Sequence, residues 1–322
     1  MRIYELDELP DRLLPQLAAF GVSDGDPPQD LRFIRRLRRM GHPASDYWGV
    51  YAVEGDQVLS RVETLQLPFR GRTGPQTVVG IADVLTRPNG IGQGFARALL
   101  REVHQREVAR GRTWSFLWTH RTWGAHQLYR DLGYEDVYSP PHALGRDLRP
   151  RRCDPPAGYR WKPAKASDAG RLERLLARAT YRRLGFVPRS RGSTRIRFRL
   201  GWRKPENYRI LSCGARAVGY AYLSDSSDWN LTTNEVVVTS PDHIEPMVAA
   251  LGNLARGRWL TFQGTSFVRD AEAALRARGY AIEPSSHTVL MAKPLRSRAS
   301  RREDLRKVFH DPSFSSHRGD MF

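Results

Sequence analysis

Apolar and polar positions alternate along residues 47–69, YWGVYAVEGDQVLSRVETLQLPF, with a break at Gly55-Asp56. A period of two predicts two strands joined by a tight turn. TVVGIADVLT (77–86) extends the pattern to a third strand. GFARALLREVHQREVARG (94–111) then switches to apolar residues at helical spacing and ends on Gly111, which predicts a helix with a glycine stop. WSFLWTH (114–120) reads as a strand, WGAHQLYRDLG (123–133) as a short helix, and YEDVYS (134–139) as the way into a last strand. After a helical start, the first half is thus expected to run β-β-β-α-β-α-β.

RRCDPPAG (151–158) punctuates the chain as a linker. Beyond it the pattern returns. RGRTWSFLWTH (110–120) aligns with RGRWLTFQGTS (256–266) at a spacing of 146 residues, and LGY (132–134) falls over RGY (278–280) at the same spacing. DVLTRP (83–88) matches VVVTSP (236–241) at a spacing of 153, which predicts a second helix two turns shorter than the first. Three matches in order point to an internal repeat. The expected division is 1–150, a second copy over 158–294, and a tail over 295–322.

The copies differ at their turns. RPNGIGQGFARALL (87–100) bares three glycines just before a helix, where backbone amides and the helix dipole suit a phosphate, although a flexible turn would have the same composition. In the second copy Glu245, Pro246 and Met247 fall opposite Gly92, Gln93 and Gly94, and Leu275 falls opposite Tyr129. This favours a working site in the first copy and a scaffolding role for the second.

Loop, strand and tyrosine-bearing helix in this order resemble the GNAT superfamily of acetyl-CoA-dependent N-acetyltransferases. Ile91-Gly92-Gln93-Gly94-Phe95-Ala96 matches its pyrophosphate loop, with Ile91 where the family has Arg or Gln, and Leu128-Tyr129-Arg130-Asp131-Leu132-Gly133-Tyr134 matches its second hallmark. The resemblance implies an α/β (α+β) fold of two tandem domains, each a mixed, mostly antiparallel sheet flanked by helices. It implies that Val84, Leu85, Thr86, Gly92, Gln93, Gly94, Phe95, Ala96 and Arg97 hold acetyl-CoA, a strand amide near Leu85 polarising the thioester, and that Tyr129 protonates the leaving thiolate.

GIADVLTRP, FLWT and LYRDLGYE further resemble the enhanced intracellular survival (Eis-type) acetyltransferases. These pair an active first domain with a degenerate second one and end in phenylalanine. They also carry a sterol-carrier-like third domain, for which the 28 residues after Pro294 leave no room. The likeness implies the Phe322 carboxylate as the base that takes a proton from the ammonium substrate. Asp320, Asp83 and His120 are the other candidates. The implied acceptor is an amine on a small molecule, or a peptide or protein lysine. Asp24, Asp26, Asp30 and Asp46 could wall a cation-binding cleft or serve as turn and cap residues.

Composition changes this picture in one respect. The formal net charge is +18, with 20 basic against 18 acidic residues in 1–150 but 32 against 16 in 151–322. YRRLGFVPRSRGSTRIRFRLGWRK (181–204) holds nine Arg or Lys and no acid. Such a field attracts polyanions, so weak polyanion contact through the second half is expected. The alternative reading is a nucleic-acid-associated protein on a non-catalytic GNAT scaffold. A tandem GNAT of thiol biosynthesis resembling mycothiol synthase would instead keep its second copy catalytic, against the lost glycines. Two cysteines, Cys153 and Cys213, exclude a disulfide framework, and no metal motif appears. Neither a signal peptide nor a membrane span is expected, so the reading is cytoplasmic, compatible with a homo-oligomer.

Overall fold

The computed structural model describes residues 1–20, 30–41, 47–146, 157–186, 191–201, 203–224, 227–255, 257–263, 266–284, 287–296, 305 and 307–315. Its first half runs β1 (Arg2–Glu5), α1 (Leu14–Ala18), α2 (Leu31–Met40), β2 (Tyr47–Glu54), β3 (Gln57–Gly71), β4 (Gly74–Thr86), α3 (Phe95–Ala109), β5 (Trp114–His120), α4 (Gly124–Asp131), β6 (Glu135–Tyr138) and β7 (Pro141–Gly145). The second runs β8 (Tyr159–Pro163), α5 (Ala169–Ala179), β9 (Leu184–Phe186), α6 (Ser193–Leu200), β10 (Tyr208–Cys213), β11 (Arg216–Ser224), β12 (Asn230–Val238), α7 (Ile244–Ala255), β13 (Trp259–Phe262), α8 (Ser266–Asp270), α9 (Glu272–Ala277), β14 (Ala281–Pro284) and β15 (Thr288–Pro294), with β16 (Phe314–Ser315) beyond it.

Two mixed sheets result. The first is ordered β1-β2-β3-β4-β5-β15-β6, with β9 and β16 added beside β3, and the second β14-β7-β13-β12-β11-β10-β8. Each sheet therefore takes one strand from the other half. β15 lies between β5 and β6, pairing Leu290 with Trp118 and with Tyr138. β7 lies between β13 and β14, pairing Ala143 with Phe262 and with Ile282. The division at 1–150 and 158–294 follows the repeat, while the sheets cross it. Val289 and Met291 of β15 pack with α3 on one face, and Leu290 and Ala292 with Trp114 and Phe116 on the other. A strand buried on both faces reads as an unbroken apolar run, which is how VLMA appears.

The register carries the repeat. The parallel pair Gly80–Phe116 in the first sheet corresponds to Thr233–Phe262 in the second, at spacings of 153 and 146. Two expectations are corrected. The helical start is preceded by β1, whose Tyr4 pairs with Tyr51. The second helix is not two turns shorter: α7 has 12 residues against 15 in α3, because it begins at Ile244, opposite Ile91, and winds the loop positions into its first turn.

After β15 the chain returns to the first sheet. Leu305, Val308, Phe309 and Phe314 enter its core with Phe69, Phe116 and Phe186. Phe309 meets Phe69 at 6.3 Å and Phe314 meets Tyr138 at 5.0 Å between centroids. β16 runs parallel to β9, Phe314 opposite Leu184 and Ser315 opposite Gly185. Gly185 has φ 96°, and a Cβ there would lie 2.4 Å from the Phe314 ring. Gly185→Ala should therefore cost about 2 kcal/mol or more through overpacking and backbone strain, read as a lowered midpoint in denaturant unfolding. An unchanged midpoint would show that the tail does not dock here.

Candidate functional site

β4 and β5 run parallel but pair only at Val79–Ser115, Gly80–Phe116 and Ile81–Leu117. β4 then continues to Thr86 and β5 to His120 without further partners between them. The wedge that opens there is where the sequence-predicted residues gather, and it has two distinct faces.

On the first face α3 and α4 pack over the sheet. Phe95, Leu99, Tyr129, Val79, Ile81 and Leu117 share one apolar cluster, with Val84 against it. The turn between β4 and α3 is built by its glycines. Gly92 has φ 80° and Gly94 has φ 82°, a left-handed conformation that glycine adopts without a steric penalty. Gly94 caps α3 with no side chain over the helix end. The amides of Gly92, Gly94, Phe95, Ala96 and Arg97 meet no backbone acceptor among the described residues and form a set of donors at a positive helix end. Gln93 folds back, its Nε2 donating to the Asn89 carbonyl at 2.7 Å, and Ile91 is exposed. Arg87 anchors the turn from behind by donating to the carbonyls of Val58 and Gln16.

Arg97 pairs with Asp131 at 2.8 Å and thereby ties the first turn of α3 to α4. That helix carries Tyr129, whose ring is 6% exposed and packs edge-on to Tyr134 at 5.9 Å. Its hydroxyl has no hydrogen-bond partner among the described residues. Burial pushes the phenol up to about 12, so it holds its proton at neutral pH. Tyr134 is differently employed: its hydroxyl meets Ser115 Oγ at 2.6 Å and His104 Nε2 at 2.8 Å.

The second face lies under α1 and α2, and carries charge. A bulge shifts the β3–β4 register between Arg61 and Glu63. At that bulge Asp83 takes φ 38°, the only non-glycine with positive φ among the described residues. Its carboxylate is half exposed and lies 3.4 Å from Arg61 Nη2, while Arg61 Nη1 lies 3.5 Å from Glu63 Oε1. Arg61 and Glu63 are each 2% exposed. Burial first, and then the Asp83 carboxylate, hold the Glu63 carboxyl well above the usual range. The Arg61 guanidinium thus lies between a buried acid and a half-exposed one. Ser60 Oγ donates to the Leu85 carbonyl at 2.9 Å and contacts Thr86 Oγ1 at 2.9 Å, fixing the strand beyond the bulge.

Arg61 and Glu63 were not anticipated from the sequence. The available signal was two charges in step with Leu65, Leu67 and Phe69 on the core face of one strand. His120, at the end of β5, has Nδ1 at 2.7 Å from Thr122 Oγ1 and its ring stacked against Trp123 and His287. Asp30 caps α2 by accepting from the Arg32 amide at 2.8 Å. Phe322 and Asp320 lie outside the described residues, as do Asp24, Asp26 and Asp46. Among the described residues no three His, Cys, Asp or Glu side chains are grouped to hold a metal, and no helix is long and apolar enough to cross a membrane.

Residues 2–137 match the model of the acetyltransferase (GNAT) domain. Among solved structures the chain is similar to a GCN5-related N-acetyltransferase from Kribbella flavida, at 19% identity and a TM-score of 0.61, covering 91% of this chain and 72% of that one. It is similar to a tandem GNAT protein from the clavulanic acid biosynthesis pathway at 15% identity and a TM-score of 0.52, covering 92% and 100%. Eis1 from Mycobacterium abscessus is similar at 14% identity and a TM-score of 0.52, covering 77% and 64%. These likenesses show the fold, a tandem pair of GNAT-like units. Among curated proteins none matches.

The raised Glu63 carboxyl has a measurable consequence. The folded protein binds this proton above the unfolded value of about 4.5, so its stabilising effect is present at low pH and is lost as pH rises toward the folded value. Glu63→Gln, which cannot ionise, should lose less stability than the parent as pH rises above about 4.5 in denaturant titrations. Parallel pH profiles would rule out the retained proton.

Proposed function

We propose that the chain, whose residues 2–137 form a GNAT acetyltransferase domain, is an acetyl-CoA-dependent N-acetyltransferase working by direct attack of an amine in a ternary complex, with its active site in the first half. The observation that carries this reading is the donor set from Gly92 to Arg97 at the mouth of the β4–β5 wedge, one helix away from a buried, protonated and unpartnered phenol. The residues fit the co-substrate. Bare left-handed glycines leave the amides open to a pyrophosphate, and the Val84–Thr86 segment of β4 has no partner from β5. When bound, acetyl-CoA supplies an activated acetyl group as its thioester.

The two faces of the wedge divide the proton traffic. Tyr129, on the α3–α4 face, holds a proton that can be given to the departing sulfur. Asp83, on the α1–α2 face, presents a carboxylate that can attract an ammonium group and take its proton. Arg61 and the buried Glu63, whose carboxyl is held above the usual range, lie behind it. The Phe322 carboxylate remains the second candidate base. An acidic group on the acceptor face suits an amine of a small molecule or of a peptide or protein lysine.

The domain assignment follows the loops. In the second half Glu245, Pro246 and Met247 lie within α7; Pro246 has no amide proton to offer and Met247 is fully buried, while Leu275 replaces the phenol. We assign residues 1–150 as the catalytic unit, 158–294 as a degenerate copy and 295–322 as its docking tail.

Calorimetric titration with acetyl-CoA tests the reading directly, and the parent should bind with micromolar affinity. Gly94→Glu should abolish that binding, because it places a charged side chain among phosphate donors at a left-handed position. Tyr129→Phe should keep it and lower turnover with an amine acceptor at least about tenfold, the pattern expected when only a proton donor is removed. Absence of acetyl-CoA binding by the parent would reject the enzyme reading outright.

A further inference from the structure

The basic stretch of the second half takes no part in the proposed acetyl-transfer site. It starts just past α5 and includes α6, and these two helices pack side by side. Arg191, Arg195 and Arg199 recur at every fourth position along α6 and its lead-in, and all three are exposed. α5 answers with Arg174 and Arg178, one turn apart on the helix and both exposed, and Tyr181 follows just past its C-terminal end. Between them runs a groove of about 580 Å³ lined by Arg174, Arg191 and Arg195 together with Glu173, Ala177 and Gly192.

The charge in this groove is unbalanced. Its one acid, Glu173, is already engaged: its two oxygens accept from the amides of Gly192 at 3.0 Å and Thr194 at 2.8 Å. None of the five arginines has a carboxylate in ion-pair range among the described residues. Around the acetyl-transfer half, by contrast, arginines such as Arg97, Arg106 and Arg110 are paired. Arg36 donates to the Arg199 carbonyl, which brings α2 alongside and continues the surface with that helix's four exposed arginines.

We propose that this groove binds the phosphate backbone of single-stranded nucleic acid without reading its sequence. A guanidinium fork fits a phosphate in two-point fashion, and the one acid in the groove's lining is held by backbone amides rather than by these arginines. Four-residue spacing on a helix sets the charges roughly 6 Å apart, a step that an extended strand can match between neighbouring phosphates. The single-strand preference comes from Tyr181. It is 68% exposed two residues past the end of α5, with the Arg182 guanidinium 5.8 Å from its ring, and offers an open face on which an unpaired base can stack. A duplex keeps its base faces covered. Among the described lining residues there is no amide side chain, and the one acid is held by backbone amides, so the groups the groove offers are guanidiniums suited to phosphate. This site is separate from the acetyl-transfer reading and stands whether or not that reading holds.

The test uses the full chain and a fluorescein-labelled oligothymidylate, followed by anisotropy through a salt series. Binding should weaken with salt at a log–log slope of about 3, the value for four or five phosphates on a single strand. Replacing Arg174, Arg191 and Arg195 together by Glu should weaken it more than tenfold. Tyr181→Ala should weaken it roughly fivefold or more, while leaving the affinity for a duplex of equal length unchanged. Unchanged circular dichroism and thermal midpoints in both variants separate these effects from misfolding. Salt-independent binding, or binding indifferent to the triple replacement, would overturn the site. A duplex or a polyglutamate peptide held as tightly as the oligothymidylate would overturn its assignment to single strands.

Discussion

The exchange of β7 and β15 is the constraint on which the remaining structure rests. An internal strand of a sheet hydrogen-bonds on both edges, and here that position in each sheet is filled by the other half of the chain. Neither sheet is complete from its own repeat. The linkage is also side-chain deep. Lys293 of β15 donates to His104 Nδ1 on α3 at 3.1 Å, His104 Nε2 reaches Tyr134, and Tyr134 reaches Ser115. Burial, with the Lys293 charge adding to it, pushes His104 down to about 3, so the imidazole is neutral and can accept from lysine while donating to the phenol. The second half thus holds α3, and with it the glycine turn at its start, against the sheet.

That support explains how the wedge can carry strain. Asp83 sits in a left-handed conformation that costs a non-glycine residue of order 1 kcal/mol, and its neighbours are a buried arginine and a buried acid. Such an arrangement persists only where the surroundings over-determine it. β3, fifteen residues long, provides this by pairing with β2 on one side and β4 on the other, with Phe20 stacked on Arg61 at 5.4 Å. The bulge then turns one carboxylate toward the opening while the other stays inside. Tyr129 is protected differently, by apolar packing that raises its proton affinity without engaging its hydroxyl.

The two repeats have spent the same topology in different ways. The first keeps an open turn before α3; the second winds the same positions into α7 and gains a continuous helix with a buried Met247. Freed from the need for that opening, the second half carries its excess arginine on an outer groove. The C-terminal segment, through Phe309 and Phe314, closes the aromatic core that both halves share.

Much of this was legible in the sequence because it is local. Alternation placed β2, β3 and β4, helical spacing placed α3, and the glycines at 92 and 94 marked the bare turn before it, where the structure gives both a positive φ. The repeat spacings of 146 and 153 reappear in the strand register. What tertiary structure alone decided is non-local. VLMA could have completed either sheet, because an apolar run states that a strand is buried but not between which neighbours. The Arg61–Glu63–Asp83 cluster depends on a bulge that brings residues of two strands together, and the proton on Glu63 depends on burial that no linear pattern encodes. The arginines of 174–199 are visible as charge in the sequence; only the packing of α5 on α6 arranges them into facing stripes, because helices fix the direction of a side chain and packing fixes its neighbours.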